Sequence, residues 1–161
     1  MKENSRNSNK TRRNGIMSEI VVRDIQWGTK EYEDELALRN EILRVPLGLN
    51  LYKQDLSQEN TYWHVGAFDG GRLVGTLLFI DRGEGVTQMR QVAVDESCRR
   101  QGVGRKMVAY GEELMKGKGF STIVLDARKV ALDFYLALGY QVTSEELILS
   151  GIPHFKMKKE L

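Results

Sequence analysis

Short runs of β-branched and apolar residues, broken by glycine-bearing turns, alternate in this chain with stretches whose apolar positions recur every three to four residues. Residues 19–25 form the first β-rich run. Thr29 is placed to cap a helix reaching about Arg44, with Glu31 and Glu33 in the first turn, and Pro46 and Gly48 stop it. Residues 62–68 and 72–80 predict two strands joined by a tight turn at Asp69-Gly70-Gly71. A second turn, Asp81-Arg82-Gly83-Glu84-Gly85, leads into a strand over 86–94, which completes an antiparallel meander. Val103, Met107, Tyr110 and Leu114 then recur at helical spacing, predicting a helix over 102–115 closed by Gly117-Lys118-Gly119. Residues 120–126 predict a strand, 130–138 a short amphipathic helix ending at Gly139, and 140–143 and 155–158 two last strands around a Gly151-Ile152-Pro153 turn. The order β, α, β, β, β, α, β, α, β, β implies an α/β domain: a mixed, mostly antiparallel sheet flanked by helices, with one strand-helix-strand unit.

Composition narrows the class. At 161 residues, 41% hydrophobic and 29% charged with two prolines, the chain suits a soluble globular protein with one domain, expected over residues 17–161. No apolar run approaches the roughly 20 residues that span a bilayer, so no membrane partner is expected. Cys98 is the only cysteine; it cannot close an internal disulfide or build a cysteine-rich zinc site, which fits a cytoplasmic protein without a metal. Residues 1–16 read as a disordered basic tail. Five basic residues and one glutamate give this tail +4, so an overall +2 leaves −2 for the rest, and specific nucleic-acid binding is not expected.

Residues 91–106, Gln-Val-Ala-Val-Asp-Glu-Ser-Cys-Arg-Arg-Gln-Gly-Val-Gly-Arg-Lys, hold the most chemistry: a buried strand, a basic glycine turn and a helix start. Amides at a helix N-terminus point outward with the positive end of the dipole, and glycine removes the Cβ that would keep a diphosphate away. A dinucleotide fingerprint needs a further glycine at 107, where Met stands, and a Walker loop needs Gly-Lys-Ser/Thr, which is absent.

Arg99-x-x-Gly102-x-Gly104 resembles the Q/R-x-x-G-x-G/A acyl-CoA pyrophosphate loop of the GNAT family of N-acetyltransferases. Downstream, Ala131-Leu132-Asp133-Phe134-Tyr135-Leu136-Ala137-Leu138-Gly139-Tyr140 is similar to the family's A-x-x-F-Y-x-x-L-G-F/Y segment, in the same order. The resemblance covers about residues 19–158. Softer likeness to small bacterial members lies in 38–48 and 152–157. It implies the family fold, a central sheet of six to seven strands in which two neighbouring parallel strands splay apart at the cofactor. It also implies acetyl-CoA as cosubstrate, a primary amine on a small molecule or protein as acceptor, and direct attack without a cysteine intermediate; a homodimer stays open. Val92, Ala93 and Val94 would pair with the pantetheine arm. Arg99, Arg100, Gln101, Gly102, Val103, Gly104 and Arg105 would form the diphosphate site. Many members carry Asn where this chain has Arg128, which could reach phosphate or acceptor instead.

Tyr135 is the candidate general acid, because a phenol stays protonated at neutral pH and can donate to a leaving thiolate. An amine resembling lysine must lose a proton first, and His154, after Pro153, is the candidate base, with Glu146 and His64 behind it. The competing reading from another class is a noncatalytic acyl-CoA sensor, which needs Gly102 and Gly104 but not Tyr135.

Overall fold

The computed structural model describes residues 19–161; the basic tail expected over 1–16 lies outside them. The strands are β1 (Ile20–Ile25), β2 (Trp63–Asp69), β3 (Arg72–Gly83), β4 (Val86–Val94), β5 (Thr122–Arg128), β6 (Gln141–Val142), β7 (Leu147–Leu149) and β8 (Ile152–Glu160). The helices are α1 (Lys30–Leu43), α2 (Val103–Gly117) and α3 (Leu132–Ala137). Together the strands form one mixed sheet in the order β1-β2-β3-β4-β5-β8-β6, with β7 paired to β8, flanked by the helices. β4 and β5 run parallel, and α2 is the crossover between them.

The described residues divide into two compact units, one comprising those up to Leu78 with Gln91–Tyr110, the other Phe79–Arg90 with Gly111–Leu161. In the first, α1 starts where Thr29 Oγ1 accepts the Tyr32 amide at 3.3 Å. Its inner face packs Tyr32 and Leu36 with Ile25, Leu51 and Phe68. β2 and β3 close on Gly70 and Gly71, both at positive φ, in a two-residue turn that only residues free of a Cβ enter at low cost. Gly75 of β3 lies under the start of α2: a Cβ there would stand 3.0 Å from Val103 Cγ1 and from Met107 Sδ and Cε. A glycine therefore lets the helix that opens the basic loop sit close on the strand.

In the second unit β5 pairs with β8 in an antiparallel ladder from Thr122↔Glu160 to Arg128↔His154. Two boundaries differ from expectation. The final strand begins at Ile152, because the turn is made by Ser150 and Gly151 at positive φ, so Pro153 and His154 lie in the strand. An eighth strand, β7, pairs Leu147↔His154 through Leu149↔Ile152.

Candidate functional site

Each unit carries part of the residues singled out by the sequence. In the first, β4 kinks at Gln91, a non-glycine residue at φ +59° in an otherwise extended strand. The parallel ladder runs Val86↔Thr122, Thr87↔Ile123, Gln88↔Val124 and stops before the kink, although β4 continues to Val94. Ala93 is buried and Val92 and Val94 are half-buried. The Asp95 amide then donates to the Val74 carbonyl at 2.7 Å.

Asp95 also holds the next turn, its Oδ1 accepting from the Ser97 amide at 2.9 Å and the Ser97 hydroxyl at 2.7 Å. Those bonds, with Arg72 nearby, hold its carboxyl below the usual carboxylate range. Cys98 is buried in this turn, which suits a packing role. Arg100 at φ +65° and Gly102 at φ +80° swing the chain into α2, and the Gly102 position leaves open space around its Cα. Lys106 N–H donates to the Gly102 carbonyl at 3.0 Å. The amides of Gly102, Val103, Gly104 and Arg105 precede that bond and have no acceptor within the helix. Arg99 Nε reaches the Val94 carbonyl at 3.4 Å and Gln101 Nε2 the Ser97 carbonyl at 3.3 Å, so both side chains fold back along the loop. Arg100, Arg105 and Lys106 are exposed, and none has a carboxylate partner among the described residues. Free amides and free cations at one helix start make a site for an anion.

In the second unit, Arg128 ends β5 and stands directly across the ladder from His154. Residues so paired lie about 4.5–5.5 Å apart at Cβ on one face of the sheet. His154 Nδ1 lies 2.7 Å from the Ile152 carbonyl, which can only accept, so Nδ1 carries the hydrogen and neutral imidazole keeps its lone pair on Nε2. Tyr135 is 7% exposed and packs edge-on against Phe134 (5.0 Å) and Tyr140 (5.7 Å). Burial pushes its phenol up to about 12. The Leu-Gly-Tyr spacing after it has a local cause: the Tyr135 carbonyl accepts the Leu138 and Tyr140 amides at 3.1 and 3.0 Å, and Gly139 takes φ +96°. Glu146 is paired with Lys129 at 3.0 Å.

His64, the other weak candidate, belongs to a buried charge cluster that the sequence did not reveal. Glu35 is 0% exposed, Arg39 1%, His64 3% and Glu59 4%. Arg39 Nη1 donates to Glu35 Oε2 and Glu59 Oε1, both at 2.8 Å, and Nη2 to Glu59 Oε2 at 2.7 Å. Tyr32 adds a hydroxyl donor to Glu59 Oε1 at 2.9 Å. His64 Nδ1 lies 2.8 Å from Glu35 Oε2 and Nε2 2.8 Å from the Glu59 carbonyl. Ligand atoms of Glu35, Glu59 and His64 lie within 4.8 Å of one another, a metal-like spacing, yet Arg39 already bonds both carboxylates and acts as their cation.

Both neighbours of the His64 ring are acceptors, so the doubly protonated imidazole satisfies both, and two cations then balance two anions. Burial lowers the His64 value, but the Glu35 bond and charge outweigh it and raise it above 6.5. Folding thus favours the protonated form, so its stabilisation is full below about 6.5, the unfolded value, and is lost as pH rises through the folded one. The denaturant midpoint is expected to fall as pH is raised above neutrality, and His64→Gln to remove that part of the dependence.

The fold is that of an N-acyltransferase. Escherichia coli ElaA is similar, with a TM-score of 0.78 at 20% identity over 88% of this chain and 100% of that one. So is the PaiA N-acetyltransferase of Thermoplasma acidophilum in complex with coenzyme A, with a TM-score of 0.67 at 18% identity over 89% of this chain and 100% of that one. Bacillus subtilis YjcF, an uncharacterized N-acetyltransferase, is 28% identical over 132 residues, covering 81% of this chain and 94% of that one. The model of the acetyltransferase (GNAT) family matches residues 21–140, and the chain belongs to that family and is an acyltransferase.

Proposed function

We propose that this protein is an N-acetyltransferase that takes acetyl from acetyl-CoA and delivers it directly to a primary amine in the cytoplasm. The loop at the start of α2 supports the reading: four amides without helical acceptors stand beside three cations without carboxylate partners, in a chain of this family. Gln101, Gly102, Val103 and Gly104 offer backbone donors to the diphosphate, and Arg99, Arg100, Arg105 and Arg128 offer charge to the cofactor. The edge Val92-Ala93-Val94, beyond the end of the β4–β5 ladder, pairs with the pantetheine arm, and Val92 N–H donates to the thioester oxygen. Amides held at a developing oxyanion contribute roughly 10²- to 10³-fold in rate each.

The amine nitrogen attacks the acyl carbon, its proton passes to His154 Nε2, the carbon–sulfur bond breaks and Tyr135 O–H protonates the departing thiolate. No metal or covalent enzyme intermediate enters this sequence. The test is calorimetric titration with acetyl-CoA followed by thiol release from a panel holding an amino sugar, a polyamine, lysine and a peptide amine. Tight binding with turnover on at least one amine supports the reading; binding without turnover on any amine supports a sensor instead. With a reactive amine in hand, His154→Ala is expected to lower kcat by roughly 10²-fold with acetyl-CoA affinity intact. Unchanged kcat would remove His154 as base.

A further inference from the structure

The buried cluster reaches one residue outside itself. With both Nη atoms of Arg39 taken by Glu35 and Glu59, the remaining Nε–H donates to Gln91 Oε1 at 3.0 Å, across 52 positions of sequence. Gln91 is the kinked residue of β4. A left-handed backbone at a non-glycine residue persists only where the surroundings hold it. The plane of the peptide between Gln91 and Val92 follows from the Gln91 torsions, so the kink also sets where the Val92 N–H points.

We propose that Arg39 is a positioning residue, which through the Gln91 side chain fixes the kink of β4 and aims the Val92 N–H at the acyl oxygen. The proposal rests on the acetyl-CoA reading above. A guanidinium suits this task because its five N–H groups form a rigid planar fork. Glu59 holds that fork by two oxygens and Glu35 by a third contact, all at 2.7–2.8 Å and out of solvent. A lysine could balance the same charge, but it has no fourth direction in which to hold Gln91. If the bond to Gln91 only satisfied a spare donor, its loss would touch stability and nothing else.

The experiment is isotope-edited infrared spectroscopy of acetyl-CoA, labelled at the acetyl carbonyl and bound to the protein, with affinity measured alongside by calorimetry. The carbonyl band in the unsubstituted protein is expected below its position in free acetyl-CoA. Gln91→Ala, which leaves every ion pair of the cluster in place, is expected to return the band towards the free position with little change in Kd. Gln91→Glu keeps an acceptor for Arg39 Nε and is expected to restore the shift, whereas Arg39→Lys is expected to lose it. A full band shift in Gln91→Ala overturns the positioning role. Binding with no shift in the unsubstituted protein also overturns it and leaves the cofactor reading standing. Absence of acetyl-CoA binding overturns the functional reading, and the role of Arg39 falls with it.

Discussion

Tyr135→Phe is expected to lower kcat by roughly 10²-fold or more while leaving acetyl-CoA affinity and folding stability nearly unchanged. The ring is what packs: it meets Phe134 and Tyr140 edge-on, and phenylalanine keeps that shape. The hydroxyl makes no hydrogen bond among the described residues, so its removal strands no partner. Burial, by raising the phenol to about 12, keeps the proton on oxygen throughout the working range, as a donor to a thiolate requires. Steady-state thiol release with a reactive amine, read beside calorimetry, separates the two roles. Undiminished kcat with unchanged pH dependence would leave Tyr135 as a core ring.

Arg39→Ala is expected to cost about 3–5 kcal/mol of folding stability, the range found when one partner of a buried ion pair is removed. The substitution would leave the Glu35 and Glu59 carboxylates facing each other and His64 with one cation against two anions, all out of water. Chemical denaturation at pH 7 measures the loss. A change below about 1 kcal/mol, the usual worth of an exposed pair, would show that water reaches these groups. Replacing Arg39, Glu35, Glu59 and His64 together by apolar residues of similar volume is expected to cost much less than Arg39→Ala alone, since no stranded charge remains.

The meander and the crossover could be read from the sequence because their signals are local. Gly70-Gly71 marks one hairpin, and Val103, Met107, Tyr110 and Leu114 mark one face of α2. The basic loop was equally legible, since its glycines and arginines lie within seven residues. β7 leaves no readable signal, because Leu-Ile-Leu is too short to display a period and follows Glu145-Glu146. The start of the last strand is masked because Pro153 reads as a turn residue, whereas Ser150 and Gly151 supply the positive φ values. The kink at Gln91 has no local mark, because glutamine between Met89-Arg90 and Val92-Ala93-Val94 reads as ordinary strand.

The charge cluster was hidden for a different reason. Glu35 and Arg39 are four apart on α1, a spacing that in sequence reads as a solvated helix pair. Only Glu59 and His64, brought in from a short turn and from β2, make that face an interior one. The same burial of charges blurs the apolar stripe of α1, so its inner face could not be assigned from periodicity.

The interdependence of these four side chains also constrains descent. A single change that removes the charge of any one of them passes through a folded state with an unanswered charge, while a concerted change escapes that penalty. In lineages derived from this chain, the quartet is therefore expected to be kept or lost as a block, with few half-way forms.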